Sequence, residues 1–205
     1  ADSHKDGAIS ILNHPNFGWA FTTEDLFATD GFELLEIASG HFLINENGDD
    51  KHSSEEELWD QFMTKKHRVF GVAVDDSHNY TKFADTEANP GRAWIQVWAP
   101  ELSQQAICMA LRQGHFYASR GTKITALVVT PHTLELSVDG WQPSTDHVDF
   151  VGKGGELLDR VTTLPAKYTL RGGEGYVRAH VRQESQDSKI KRREAWTQPY
   201  FIKND

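Results

Sequence analysis

The apolar patterning of this chain changes once, close to Gly121, and that change narrows the folds open to it. Upstream, strand patterns alternate with helical ones. Residues 8 to 13 predict a strand, Thr22-Thr23-Glu24-Asp25-Leu26-Phe27 a short capped helix with carboxylates in its first turn, and Phe32-Glu33-Leu34-Leu35-Glu36-Ile37 a second strand. Ser53 or Ser54 caps a helix from Glu55 to about Lys65. Ser53 and Glu56 stand at capping-box spacing, and Leu58, Trp59, Phe62 and Met63 mark its apolar face. Residues 69 to 74 predict a third strand and residues 93 to 98 a fourth. A helix capped by Ser103 then buries Ala106, Ile107, Ala110 and Leu111 and ends at Gly114. Such alternation implies parallel strands joined by crossovers. Beyond about Ser119 helical periodicity disappears. Short β-rich runs recur at residues 123 to 129, 133 to 138, 147 to 152, 157 to 162, 166 to 170, 175 to 183 and 194 to 202. Their spacing predicts an antiparallel sandwich. The expected division is therefore an α/β portion, residues 1 to 120, and a small antiparallel β-sandwich, residues 121 to 205.

Composition constrains partners more than chemistry. The chain has 205 residues, 38% of them hydrophobic, which suffices for an ordinary core. A net charge of −9 argues against general affinity for nucleic acid, whose backbone attracts basic surfaces. The basic run Lys189-Ile190-Lys191-Arg192-Arg193 reads as a solvated loop, and Gln183 to Lys191 as a polar hairpin tip. No stretch approaches the roughly 20 apolar residues of a membrane-spanning helix, so no membrane partner is expected. Cys108 is the single cysteine, so no internal disulfide forms, and its helical pattern makes it a small core residue. The polar start, Ala1 to Asp6, does not read as a signal peptide, and the lack of an initiating methionine fits a trimmed or partial chain.

The chemistry sits where apolar strands stop. Ala8-Ile9-Ser10-Ile11-Leu12 runs into Asn13-His14-Pro15-Asn16, and Val69-Phe70-Gly71-Val72-Ala73-Val74 runs into Asp75-Asp76-Ser77-His78. Imidazole and carboxylate groups at the carboxyl ends of parallel strands are where barrel-like α/β enzymes hold metals and substrates. Pro15 is expected to hold His14 in extended backbone. Asp76 and His78, two residues apart on an extended segment, would share one side, while Asp75 points away to cap or orient a neighbour. Neutral imidazole suits Zn, Mn or Fe. Hence His14, Asp76 and His78 are the candidate metal ligands. Glu36, a carboxylate inside an apolar strand, is the candidate catalytic group, as base, ligand or support for a ligand. His41 is weaker, since it can simply close a turn. Asn16 and Arg120 are candidate substrate-binding residues, although asparagine is ordinary turn chemistry and an arginine at a strand end is as often a surface group. Gly152-Lys153-Gly154-Gly155 lacks a following helix and reads as a hairpin turn, not a phosphate loop.

These motifs resemble those of polymerase-and-histidinol-phosphatase (PHP) domain proteins, metal-dependent phosphoesterases, in their carbaryl-hydrolase-like branch. The resemblance rests on Leu12 to Phe17, Leu35 to His41, Gly71 to His78, Ala110 to Ser119, Gly175 to Arg178 and Ala195 to Pro199, in order along nearly the whole chain. It implies a distorted seven-stranded (βα) barrel with a two- or three-metal cluster at its mouth. The family's histidine–proline motif would fall on His14 and its terminal Asp-x-His motif on Asp76 and His78. The fold expected is thus a partial (βα) PHP-type barrel followed by a β-sandwich. The substrate would be a small-molecule phosphate ester or a related ester, and the cofactor a divalent metal. The chain also departs from the family. A His-x-His motif, an Asp-His pair and a bridging Glu should precede the histidine–proline motif, yet only 13 residues precede His14 and none of these motifs is among them. The expectation is that roughly the first half of the barrel is missing. The chain is then a fragment, or half of a site completed by another subunit, or a protein that has abandoned catalysis. An unpaired sheet edge favours a homo-oligomer or a partner supplying the missing half. The competing reading is a non-catalytic binding or structural module, with Trp141, Tyr168, Tyr176, Trp196 and Tyr200 either exposed for stacking or filling the sandwich core.

Overall fold

The computed structural model describes residues 7–65, 68–184 and 192–202. The chain divides into two compact units, Ala1–Ala118 and Ser119–Asp205.

In the first unit the apolar runs become a small parallel sheet. Strand β1 (Ile11–Leu12) pairs with β2 (Leu34–Ser39), and β2 with β3 (Phe70–Val74), both in parallel. β1 is only two residues long, shorter than the apolar run predicts. Between β1 and β2 lies helix α1 (Thr23–Ala28), started by a capping box in which the Thr22 hydroxyl and the Asp25 carboxylate each accept from the other's backbone N–H. Helix α2 (Glu55–Lys65) joins β2 to β3. Its capping box uses Ser54 and Glu57, one residue beyond the expected pair. Leu58, Trp59, Phe62 and Met63 are all buried, and the Trp59 indole N–H donates to the Val69 carbonyl at 2.8 Å, tying α2 to the start of β3. Leu34, Val72 and Phe116 form a core cluster flanked by Ile9, Phe70, Val74, Ile95, Val97 and Leu111.

The barrel expectation is corrected here. Among the described residues there is no closed barrel, and strand outweighs helix, 35% against 18%. The physical reason lies after β3. A further parallel strand needs a crossover, usually a helix, but residues 75 to 93 form a stapled irregular loop instead. The Asn89 amide donates to the Asn79 and Lys82 carbonyls, its oxygen accepts from the Ala84 N–H, and the Asn79 side-chain oxygen caps Thr81 and Lys82. Strand β4 (Trp94–Val97) follows with no helix between. Helix α3 (Gln104–Gln113) is capped by the Ser103 hydroxyl and closed by Gly114 at φ +72°. Strand β5 (Phe116–Arg120), which apolar patterning had not marked, crosses the boundary between the units.

The second unit is sandwich-like. One antiparallel sheet has the order β10 (Ala166–Thr169), β7 (Thr133–Val138), β6 (Ile124–Val129). The other runs β12 (Arg192–Thr197), β11 (Tyr176–Glu184), β8 (His147–Val151), β9 (Leu157–Val161), with β13 (Tyr200–Phe201) pairing the start of β11. The expected strand 194 to 202 is two strands, interrupted at Gln198 and Pro199, because proline has no N–H for the ladder. Tyr168, Tyr176 and Trp196 are buried, so these rings fill the core and do not offer a stacking row. Gly152 to Gly155 is a turn between β8 and β9. Residues 185 to 191 lie outside the described residues, and with them most of the predicted hairpin tip and basic run. Arg193 donates to the Gly121 carbonyl.

Candidate metal centre

Three parallel strands deliver the polar groups of the first unit to one end of the sheet. β3 delivers Asp76 and His78, and β2 delivers His41 just beyond its end. These three residues each offer a ligand atom within 4.8 Å of the other two. The close approach of the β2 and β3 exits depends on Gly40. Its N–H donates to the Val74 carbonyl at 2.7 Å, and a Cβ there would stand 2.8 Å from the Asp75 carbonyl oxygen and 2.9 Å from the Arg92 Cβ. Any larger residue would wedge the two loops apart.

The backbone of this end is unusual. Among the described residues three non-glycine residues have positive φ, and two are His14, at +32°, and Asp76, at +45°. Both expectations of extended geometry are therefore corrected. Pro15 does not hold His14 in extended backbone, because His14 is locked into a turn. Its N–H donates to Glu36 Oε2 at 3.0 Å, and its carbonyl accepts from the Phe17 N–H. Asp76 and His78 approach through a turn, not along a straight strand. His78 Nδ1 lies 2.8 Å from the Asp76 carbonyl oxygen. A carbonyl can only accept, so Nδ1 carries the proton there and Nε2 presents its lone pair outward. Metal-binding histidines are commonly fixed this way. His41 is held less favourably. Its Nδ1 accepts the Leu43 N–H at 3.2 Å, so a neutral ring carries its proton on Nε2, and ligation through either nitrogen requires this turn contact to yield. His41 and His78 meet edge to face with centroids 5.2 Å apart.

Asp75 does point away, as expected. Its carboxylate accepts from the backbone N–H groups of Gly91 (2.9 Å), Arg92 (2.6 Å) and Ala93 (2.9 Å), closing the loop that carries Asp76 and His78.

Glu36 is 1% exposed and lies on the strand between the other two. A register shift in the β2–β3 ladder follows it, between Glu36 and Ala38, and such bulges re-aim side chains beside sites. Oε2 accepts from His14, whereas Oε1 is buried with no hydrogen-bond partner. Burial pushes its carboxyl above the ordinary glutamate value. The Asp76 charge adds to that, while the His14 N–H, the His14 charge and Ser39 oppose it. Two imidazoles and a carboxylate with ligand atoms this close are a donor set with capacity for a cation, and Glu36, which feels the Asp76 charge, keeps an unpartnered oxygen on the strand between. The set fits a divalent metal of the Zn, Mn or Fe type, with nitrogen and oxygen donors.

The remaining sequence candidates fall elsewhere. His14 sits against Glu36 and is not among the three clustered ligands, and its ring meets Phe17 edge-on at 5.6 Å. Asn16 is buried and its amide is committed to the Asn45 and Ser53 carbonyls, at 3.1 and 2.9 Å, so it ties the β1 exit to the loop before α2. Arg120 belongs to the second unit, where its charge helps hold the Glu194 carboxyl low. The residue undervalued by the sequence is His41. Its one signal was the Ser39-Gly40 pair before it, a small-residue step at a strand end that permits close backbone approach.

No protein-family model, curated protein or solved structure matches the chain. The resemblance carried by its motifs thus has no support from these comparisons. Among the described residues no helix is long and apolar enough to cross a membrane.

Proposed function

We propose that the first unit is the metal-binding part of a divalent-metal-dependent hydrolase acting on a small-molecule phosphate ester or a related ester. The observation that carries this reading is the convergence of His41, Asp76 and His78, with ligand atoms within 4.8 Å of one another. A bound divalent ion would supply a Lewis acid that polarises the ester oxygen and lowers the pKa of water. The chain's own contributions are positional. Asp76 and His78 would hold the ion, with His78 Nε2 aimed by the Nδ1–H bond to the Asp76 carbonyl. His41 would close the third position once its contact with the Leu43 N–H gives way. Glu36, its carboxyl raised by burial, would accept or hold a proton at Oε1, and it keeps the His14 turn in place through Oε2. Asp75 keeps the ligand loop closed.

The test has two stages. Calorimetric titration of Zn2+ and Mn2+ should show one saturable site that is lost in Asp76→Asn. Metal-loaded protein should then hydrolyse bis(p-nitrophenyl) phosphate or p-nitrophenyl acetate, with turnover reduced in the same variant. Absence of metal uptake removes the reading. Uptake without turnover reduces it to a metal-binding module.

A further inference from the structure

A second cluster, wholly within the second unit, points to a different ligand. A pocket of about 220 Å3 is lined by Thr145, His147, Arg160, Arg182, Gln183 and Glu184. Beneath it lies Asp149 on β8, 4% exposed, which organises two arginines from the neighbouring strands β9 and β11. Arg160 donates Nε to Oδ1 at 2.6 Å and Nη2 to Oδ2 at 2.9 Å, a bidentate fork, and Arg182 donates Nη1 to Oδ2 at 2.8 Å. One carboxylate thus fixes two guanidiniums side by side.

Asp149 does not use up both guanidiniums. At Asp149 two guanidiniums share one carboxylate, and the second carboxylate of the pocket, Glu184, has no ion pair with either of them among the described residues. The next carboxylate, Glu194, stands 3.7 Å from Arg182 Nε and is also held low by His180 and Arg120, so it does not neutralise Arg182 alone. Asp149 takes up one edge of each guanidinium. Arg160 Nη1 and Arg182 Nη2 have no hydrogen-bond partner among the described residues, and the two side chains are 51% and 31% exposed. His147 Nε2, 3.8 Å from Asp149 Oδ2, is buried and lacks a hydrogen-bond partner as well. Burial holds the His147 pKa down, with Arg160 and Arg182 adding to that and Asp149 opposing it. The hydroxyl of Thr145 and the amide of Gln183 are already engaged by the turn at residues 139 to 146. What the pocket offers is a pair of pre-oriented guanidinium edges. Such edges match the oxygens of a phosphate or a carboxylate, and orientation in advance lowers the entropic cost of binding. The volume lies below the usual range for drug-sized ligands and suits a small anion. Glu184, exposed at the rim, is the one carboxylate in the lining and opposes that anion.

We propose that Arg160 and Arg182, clamped by Asp149, form an oxyanion-binding site on the second unit for the phosphate or carboxylate group of a small molecule. The site is independent of the metal reading, since its residues all lie between Thr145 and Glu194.

The test uses the full chain without added metal, titrated with inorganic phosphate and separately with acetate by calorimetry, at low ionic strength against a matched chloride control. Saturable binding of either is the expected result. Phosphate alone identifies a phosphoryl ligand, and acetate competing with phosphate identifies a carboxylate site. Arg160→Gln and Arg182→Gln should each weaken binding about tenfold, and Glu184→Gln should tighten it. Arg160→Lys, at the more exposed position, keeps the charge but not the fork and should also weaken binding without threatening the fold. In the wild-type chain, anion addition should shift the His147 ring resonances. No saturable binding beyond the chloride control, equal binding by both arginine variants and wild type, or an unmoved His147 would each overturn the proposal.

Discussion

Glu36 and Asp149 are both carboxylates buried on central sheet strands, one in each unit, and their surroundings differ in kind. Asp149 accepts three hydrogen bonds from two guanidiniums, which outweigh the cost of burial and hold its carboxyl below the ordinary aspartate value. Glu36 accepts one backbone N–H on Oε2, keeps Oε1 unpartnered, and is pushed above the ordinary glutamate value by burial. A buried carboxylate with matched cations is what a fold arranges for its own cohesion, although its guanidiniums can still serve a ligand at their outer edges. A buried carboxylate left short of partners is a standing cost, tolerated where something else is to bind or where a proton is to be held.

The largest effect expected from this contrast is on stability. Asp149→Ala should cost about 3 kcal/mol in urea denaturation, because two arginines lose their shared counter-charge. A loss below about 0.5 kcal/mol would show that solvent serves them as well and would dissolve the comparison. Next in size, Asp76→Asn should lower Zn2+ affinity about a hundredfold by calorimetry while leaving the urea midpoint nearly unchanged. Equal affinity in variant and wild type would place any ion elsewhere. Gly40→Ala should lower Zn2+ affinity about tenfold, since its Cβ would stand 2.8 Å from the Asp75 carbonyl oxygen and part the two ligand loops. An unaffected affinity would mean that the loops adjust freely.

The smallest effect carries the sign that separates the two carboxylates. The folded state holds the Glu36 proton above the ordinary value of 4.5, where the unfolded chain has released it. Its contribution therefore falls as pH rises through that window and stays low above it. Asp149 does the reverse, favouring the fold above the ordinary 3.8 and losing that contribution as pH falls through its lowered folded value. Glu36→Gln should raise stability by about 1 kcal/mol at neutral pH in metal-free protein and flatten the decline above pH 4.5. A lower stability for the variant would mean that the ionised Glu36 is itself a structural partner.

Local signals gave the elements their positions well. Thr22 and Ser103 cap the helices expected of them, α2 spans Glu55–Lys65, and residues 133 to 138 form β7. Each of these depends on a hydrogen bond or a periodicity contained within a few residues. The barrel was not legible because it is a matter of closure, and the loop from Asp75 to Ala93, stapled by Asn79, Asn89 and Asp75, takes the place of the helix that further parallel strands would need. The candidate site was legible in part. Asp76 and His78 stand at a strand end and were found, but His14 was grouped with them on the assumption of extended backbone, and its φ of +32° turns it instead into a turn against Glu36.

The order of apolar and polar residues, by itself, determined most of the strands and all three α-helices, though not β5, and that polar ligand types follow strand ends, because periodicity and capping act over short chain distances. Which of those ligands meet was decided only in three dimensions. Gly40 must lie against the Asp75 backbone for His41 to reach Asp76 and His78, and Asp149 must sit between β9 and β11 for Arg160 and Arg182 to stand together. Both depend on contacts between strands that no local pattern records.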